Sequence, residues 1–165
     1  MTLTPRDLSV LGQLTTVGGF RAKAEQFILR VREGCIDRPY EAAVIYGLRS
    51  RAKQLSLYSI GRELVAPDAD PALPRSWKQT GRVVTKALPH DSAHCYGAAI
   101  DLALIDRVTH RWVEDANPGW DFVGATARLV GLESGHFWHF KDSAHGELVG
   151  WRELVELGEL VLVEV

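Results

Sequence analysis

The sequence predicts a small α+β domain, a mainly antiparallel sheet flanked by helices. Two observations lead there. The chain has 165 residues, 46% hydrophobic and 24% charged, which suits one core and one domain. Stretches of helical periodicity occur together with short apolar runs of strand formers, with no internal repeat and no low-complexity tract.

The elements follow in order. Thr4-Pro5-Arg6-Asp7 is a helix start, with Thr4 as N-cap, Pro5 at the first helical position and an acid three residues after the cap. Gly18-Gly19 breaks that helix. Phe20, Ala24, Phe27, Ile28 and Val31 recur at helical spacing, and Gly34 stops the pattern. Ala42 to Tyr46 reads as a strand closed by Gly47. Ser50 to Gly61 reads as an amphipathic helix through Ala52, Leu55 and Tyr58. From Ala66 to Gly81 three prolines and two aspartates without periodicity predict a loop or lid. Val83-Val84-Thr85 suggests a strand and Ala98 to Ile105 a stronger one. Asp121 to Leu132 reads as a helix with Phe122, Ala125, Leu129 and Val130 on one side. The tail from Trp151 reads as a helix followed by a strand, with Glu153, Glu156 and Glu159 on a solvated face.

Composition narrows the function classes. A net charge of −2 and a pI near 6.3 argue against non-specific nucleic-acid binding and give no reason to expect attachment to an anionic membrane. No apolar run approaches the ~20 residues of a membrane span. The start, MTLTPRDLSV, lacks the basic and apolar regions of a secretory signal. Two cysteines, Cys35 and Cys95, make no disulfide framework. The expectation is a soluble protein made in the cytoplasm.

The chemistry concentrates late in the chain, since none of the six histidines precedes His90. Clustered histidine and carboxylate suit a first-row metal, because both donate lone pairs. In a strand from Ala98, Asp101 shares its face with Ala99 and Ala103, which suits a ligand. His94 lies seven residues earlier, on the opposite face of a straight strand, so the chain must bend between them, and Gly97 allows that. On spacing alone, a buried salt-bridged aspartate beside a surface histidine is an equal reading.

Ser92-x-His94-x-x-Gly97-x-Ala99-x-Asp101 resembles the S-x-H-x-x-G-x-A-x-D motif of the zinc D-Ala-D-Ala carboxypeptidase and L-alanyl-D-glutamate peptidase family, which includes small phage endolysins. Tyr46-Gly47-Leu48-Arg49-Ser50, Gln54, Leu57-Tyr58 and Gly61-Arg62 resemble its G-x-R-S…Q…LY…GR stretch, and Val84-Thr85 stands as in the family just before the metal motif. The resemblance covers about residues 8–149, leaving 150–165 as a C-terminal extension of a single peptidase domain. It implies one zinc at one end of the sheet, with His94 and Asp101 as two ligands.

Two histidines compete to be the third. Asp142-Ser143-Ala144-His145 fits the family's acid three residues before a ligand, and Gly146-Glu147-Leu148-Val149 resembles the endolysin branch, where that histidine opens a strand. His139 in Trp138-His139-Phe140 resembles the carboxypeptidase branch, but three residues before it stands His136. A metallohydrolase needs a base beside its water, which favours His145 as ligand and Asp142 as base. Gly146 departs from the bulky apolar residue usual in the family. The resemblance places Arg49 at the site, against a substrate carboxylate or oxyanion. Ser92 either binds substrate or shapes the loop before His94. His136 and His139 are candidates to line the cleft. Cys95 reads as a packing residue, His90 and His110 as solvated, and Trp77, Trp112, Trp120 and Trp151 as core or rim aromatics.

The resemblance implies a monomeric, endolysin-type L-alanyl-D-glutamate endopeptidase acting on the peptidoglycan stem peptide. It would accumulate in the cytoplasm and reach the wall on release from a phage-infected host. The rival readings are a D-alanyl-D-alanine carboxypeptidase or dipeptidase on the same scaffold, and a non-catalytic wall-binding or phage structural module.

Overall fold

In the computed structural model, which describes residues 2–61, 63–65, 76–78, 83 and 85–163, the first helix, α1 (Pro5–Gly12), begins as its sequence dictates. The Asp7 N–H donates to the Thr4 hydroxyl at 3.2 Å, and the Thr4 N–H donates to the Asp7 carboxylate at 2.6 Å. This reciprocal capping box satisfies two donors at the helix start. Asp7 has a second task. Its two oxygens accept from Arg32 of helix α2 (Phe20–Gly34) at 2.5 and 2.9 Å. The Arg32 Nε–H donates at 3.3 Å to Ala42 O of strand β1 (Tyr40–Tyr46). One buried ion pair thus ties two helices to the sheet.

Helix α2 buries the stripe its periodicity selects: Phe20, Ala24, Phe27, Ile28 and Val31 are all in the core. Gly18 and Gly19 separate it from α1, both in left-handed backbone (φ 58° and 69°). The main sheet has four antiparallel strands in the order β1, β4 (Ala99–Asp106), β6 (His145–Leu148), β5 (Leu132–Ser134). Two further strands, β2 (Glu63–Val65) and β3 (Ser76–Lys78), pair as a separate antiparallel ribbon. Helix α3 (Arg51–Ser59) follows β1, with Ser50 as N-cap accepting from the Lys53 N–H. Helix α4 (Gly119–Leu129) packs on α2 and β5, and α5 (Trp151–Glu156) follows β6. The expected α+β class with a mainly antiparallel sheet is what the chain adopts.

Four local expectations differ from the structure. Within the stretch expected to be a loop or lid, Ser76–Lys78 forms strand β3, because a partner strand, β2, precedes it in the chain. Helix α4 ends at Leu129, and Gly131 (φ 80°) turns the chain into β5. Its buried face is Trp120, Val123, Gly124 and Ala127, whereas Leu129 and Ala125 are exposed. A Cβ on Gly124 would lie 2.9 Å from the Phe137 ring, so close packing there requires a residue that carries no hydrophobic signal. The tail after α5 forms no strand among the described residues. The Val163 N–H instead donates to Cys95 O at 2.9 Å, laying the tail over the turn before β4 rather than along a sheet edge. Val83 and Thr85 lie outside any strand. The Thr85 hydroxyl accepts from the Ala87 N–H, a local bond that competes with sheet pairing. Arg62, Val84, the side chain of Trp77 and most of the expected loop (66–75 and 79–81) lie outside the described residues. No described helix is long and apolar enough to cross a membrane.

Burial alone would raise the Asp7 carboxyl, but the hydrogen bonds from Arg32 and Thr4 and the Arg32 charge outweigh it and hold it below the usual carboxylate range. A depressed folded-state pKa means stability present above the unfolded value, about 3.8, and lost as pH falls through the folded one. Asp7→Asn is therefore expected to lower unfolding free energy by about 2–4 kcal/mol at pH 7, the range for breaking a buried charged pair. Urea titrations at pH 7 and pH 2.5 check this: the gap between parent and variant should narrow at the lower pH.

Candidate metal centre

His94, Asp101 and His145 come from three places in the chain. His94 stands in a 3₁₀ turn, Ala93–Tyr96, just before β4. Gly97 ends that turn at φ 65°, and its carbonyl accepts from the Thr15 N–H at 2.9 Å. A Cβ there would meet Gln13 O at 3.0 Å and Thr15 N at 3.2 Å, so both backbone and space require glycine. This is the bend that the odd spacing of His94 and Asp101 demands. His145 opens β6 directly opposite Asp101, and directly opposed residues of an antiparallel pair point their side chains to the same face.

The result is a convergent donor set. Asp101 Oδ1 lies 3.1 Å from His94 Nε2 and 3.1 Å from His145 Nδ1. One ligand atom from each of the three residues lies within 4.8 Å of the others, so the cluster could hold a metal ion. The His94 ring nitrogen away from the centre, Nδ1, sits 2.6 Å from Gly47 O. A carbonyl only accepts, so Nδ1 carries the proton, and a neutral His94 turns its Nε2 lone pair toward the carboxylate. Two lone pairs do not attract. A cation between them, or a proton, resolves the arrangement.

The electrostatics agree with that fit. Burial opposes the Asp101 charge, but the charges and hydrogen bonds of His94 and His145 outweigh it and hold the carboxyl far below its usual range. Burial likewise opposes charge on His145, yet Asp101 and Glu147, which flank its two ring nitrogens at 3.1 and 3.0 Å, push it up to about 10. A metal at Nδ1 would occupy the place of that proton.

The remaining expected site residues fall at different distances from this centre. Arg49 is mostly buried beside it. Its Nη2–H donates to Asp101 Oδ2 at 3.3 Å and its Nη1–H to Gln54 Oε1 at 2.8 Å. Gln54, fully buried, passes the link on by donating to Ala87 O at 2.8 Å. Asp142 reaches the surface, but the protein packed around its carboxyl raises its pKa, as do Asp101 and Asp115, against the pull of His145 and His94. Ser92 is buried at the head of the His94 turn, where its carbonyl accepts from the Cys95 N–H. His139 is exposed, edge-on to Phe140, and outside the cluster. Trp138 packs against His145, ring centroids 5.2 Å apart. His136 does not line an open cleft: it is buried, bonded to Asp121 at 2.9 Å and Ser143 at 3.1 Å. Cys95 is fully buried, and burial pushes its thiol up, as a packing residue requires. Trp120 and Trp151 are core, Trp112 is exposed, and His90 and His110 are solvated.

The fold has a solved counterpart. It is similar to that of the L-Ala D-Glu endopeptidase ChiX of Serratia marcescens, with a TM-score of 0.54 over 90% of both chains. Sequence identity is 18%, so the likeness is one of fold. No protein-family profile matches the chain.

Sequence reading did not find the Asp7–Arg32 tie, the Gln54 link, the His136–Asp121–Ser143 chain or the contact of Glu147 with His145. Two of these had a signal: Gln54 stands with Arg49 in the stretch that carries the resemblance, and Glu147 follows His145 at i+2 of a strand, on the same face.

Gly135 and Gly146 make a testable contrast. A Cβ on Gly135 would lie 2.5 Å from Asp142 O and 3.2 Å from His145 Cβ, whereas one on Gly146 would meet Phe27, Leu132 and Ile100 at ordinary contact distance, 3.5 Å or more. These three side chains fill the space that a bulkier residue at 146 would take. Gly135→Ala should displace the turn bearing Asp142 and His145, lowering both the melting temperature and the affinity for added divalent metal. Gly146→Ala should change stability by less than about 1 kcal/mol, as ordinary contacts allow. Thermal melts with and without metal compare the two.

Proposed function

We propose that this protein is a zinc-dependent peptidoglycan peptidase of the endolysin type, hydrolysing the L-alanyl-D-glutamate bond of the stem peptide. The observation that carries the reading is the convergence of His94 Nε2, Asp101 and His145 Nδ1, with Asp142 on the turn leading into His145. The fold it shares with an L-Ala D-Glu endopeptidase supports it. Two imidazoles and one carboxylate match the three-ligand donor sets of catalytic zinc sites, which keep a position open. Bound zinc would polarise the scissile carbonyl and supply water with a pKa near ~7.

The chain's own groups do the rest. Asp142 accepts the proton of the attacking water and returns it to the leaving amine. Arg49 holds Asp101 in place through Oδ2, and its positive charge beside the cluster would stabilise an oxyanion that develops there. Gln54 fixes the guanidinium from behind, so that it need not reorganise during the reaction. Ser92 shapes the turn that aims His94.

Digestion of purified stem peptides by the zinc-loaded protein, read by mass spectrometry, tests the reading. Cleavage between L-Ala and D-Glu is expected. Release of free D-Ala alone would move the assignment to a carboxypeptidase, and no cleavage of any stem peptide would overturn the peptidase reading. Asp142→Asn should retain zinc and lose ~10²–10⁴-fold in kcat/KM, the usual worth of general acid–base catalysis. His94→Ala and His145→Ala should lose zinc affinity while His139→Ala keeps it, as chelator competition would show. Zinc lost from His139→Ala and kept by His145→Ala would transfer the third ligand to His139.

A further inference from the structure

We infer that Glu147 is a positioning residue of the metal centre: it holds His145 from behind, so that Nδ1 rather than Nε2 is presented to the ion. The inference rests on the metal reading above. Glu147 lies two residues after His145 on the same face of β6, opposite Ala99 on β4, whose small side chain leaves room for it. It is a buried carboxylate, 4% exposed, and such a group is unfavourable unless both oxygens are satisfied. Both are. Oε2 lies 3.0 Å from His145 Nε2, and Oε1 accepts from the Trp151 indole N–H at 3.0 Å.

Both ring nitrogens of His145 face a carboxylate, Glu147 at Nε2 and Asp101 at Nδ1. Only Asp101 belongs to the cluster that could hold an ion, so an ion there would replace the Nδ1 proton and leave the Nε2 proton on Glu147, whose other oxygen already accepts from Trp151. Nδ1 is then the nitrogen left to face Asp101, 3.1 Å away. His94 is oriented in the opposite sense: Gly47 O takes its Nδ1 proton, and Nε2 faces the centre. The two candidate ligands therefore present different nitrogens, each fixed by the acceptor behind the ring. A neutral carbonyl stands behind one and a carboxylate behind the other, and a carboxylate also makes the imidazole a stronger donor to metal. Satisfying Trp151 alone would need one acceptor, not an acid aimed at the ligand.

The test uses the full chain and zinc alone. Glu147→Gln keeps the volume but offers one acceptor oxygen to two facing donors. It should weaken zinc binding about 10–100-fold in chelator competition, the scale for losing such a partner. Trp151→Phe removes the other donor and leaves the Glu147–His145 bond, so its zinc affinity should stay near the parent's. Long-range ¹H–¹⁵N spectra of the zinc-loaded parent should show a protonated Nε2 in His145, a readout that needs no variant to fold. Parent-like affinity in Glu147→Gln, an equal loss in Trp151→Phe, or a protonated Nδ1 in the parent would overturn the inference while leaving the metal reading intact. A parent that binds no zinc would overturn the metal reading, and this inference with it.

Discussion

Asp101 is the group on which the site depends. It stands on β4, between β1 and β6, so partners can approach its carboxylate from both neighbouring strands. His145 comes across from β6, His94 from the turn before β4, and Arg49 from the segment after β1. One oxygen faces both imidazoles and the other faces the guanidinium. A carboxylate in this position is tolerable only with such partners, and removing it would leave three groups of like tendency facing one another. The backbone serves the same arrangement. Gly47 O meets His94 Nδ1, and the Arg49 N–H donates to His94 O at 3.1 Å, so one short segment fixes His94 twice.

What could be read from the sequence was what local geometry dictates. The Thr4–Asp7 capping box, the buried stripe of α2 and the bend at Gly97 are each set by neighbours a few residues away, and each formed as expected. So did the strand opened by His145. The convergence of His94, Asp101 and His145 was legible through a motif whose spacing already encodes a turn and a strand.

The rest depends on contacts that no local pattern records. Asp7 meets Arg32 across 25 residues, and nothing in either neighbourhood names the other. The buried face of α4 differs from the expected one because periodicity weighs large apolar residues, while the packing face includes Gly124, which admits the Phe137 and His136 rings, and the small Ala127. The strand expected at the tail is absent among the described residues for a related reason: apolar residues signal burial, and Leu160 is indeed buried, but burial does not require a sheet edge.

The turn from Asp142 to His145 shows how a carboxylate can reach solvent while the backbone that carries it is held in place. Its backbone is pinned at successive residues. The Asp142 N–H donates to Gly135 O at 3.0 Å, the Ser143 N–H to Asp115 at 3.3 Å, and Ala144 O accepts from the Leu102 N–H of β4 at 2.9 Å. The Ser143 hydroxyl adds a side-chain anchor. His136 joins that hydroxyl to Asp121: its Nε2 pairs with Asp121 at 2.9 Å and its Nδ1 with the Ser143 hydroxyl at 3.1 Å. Because Asp121 lies on α4, the turn is referred to a helix of the core as well as to the central strand. Freedom is left to the Asp142 carboxyl, the one group here whose proposed task is to move a proton. Fixing the backbone in the ground state leaves little reorganisation for the reaction itself, the condition under which a single carboxylate can act as both base and acid.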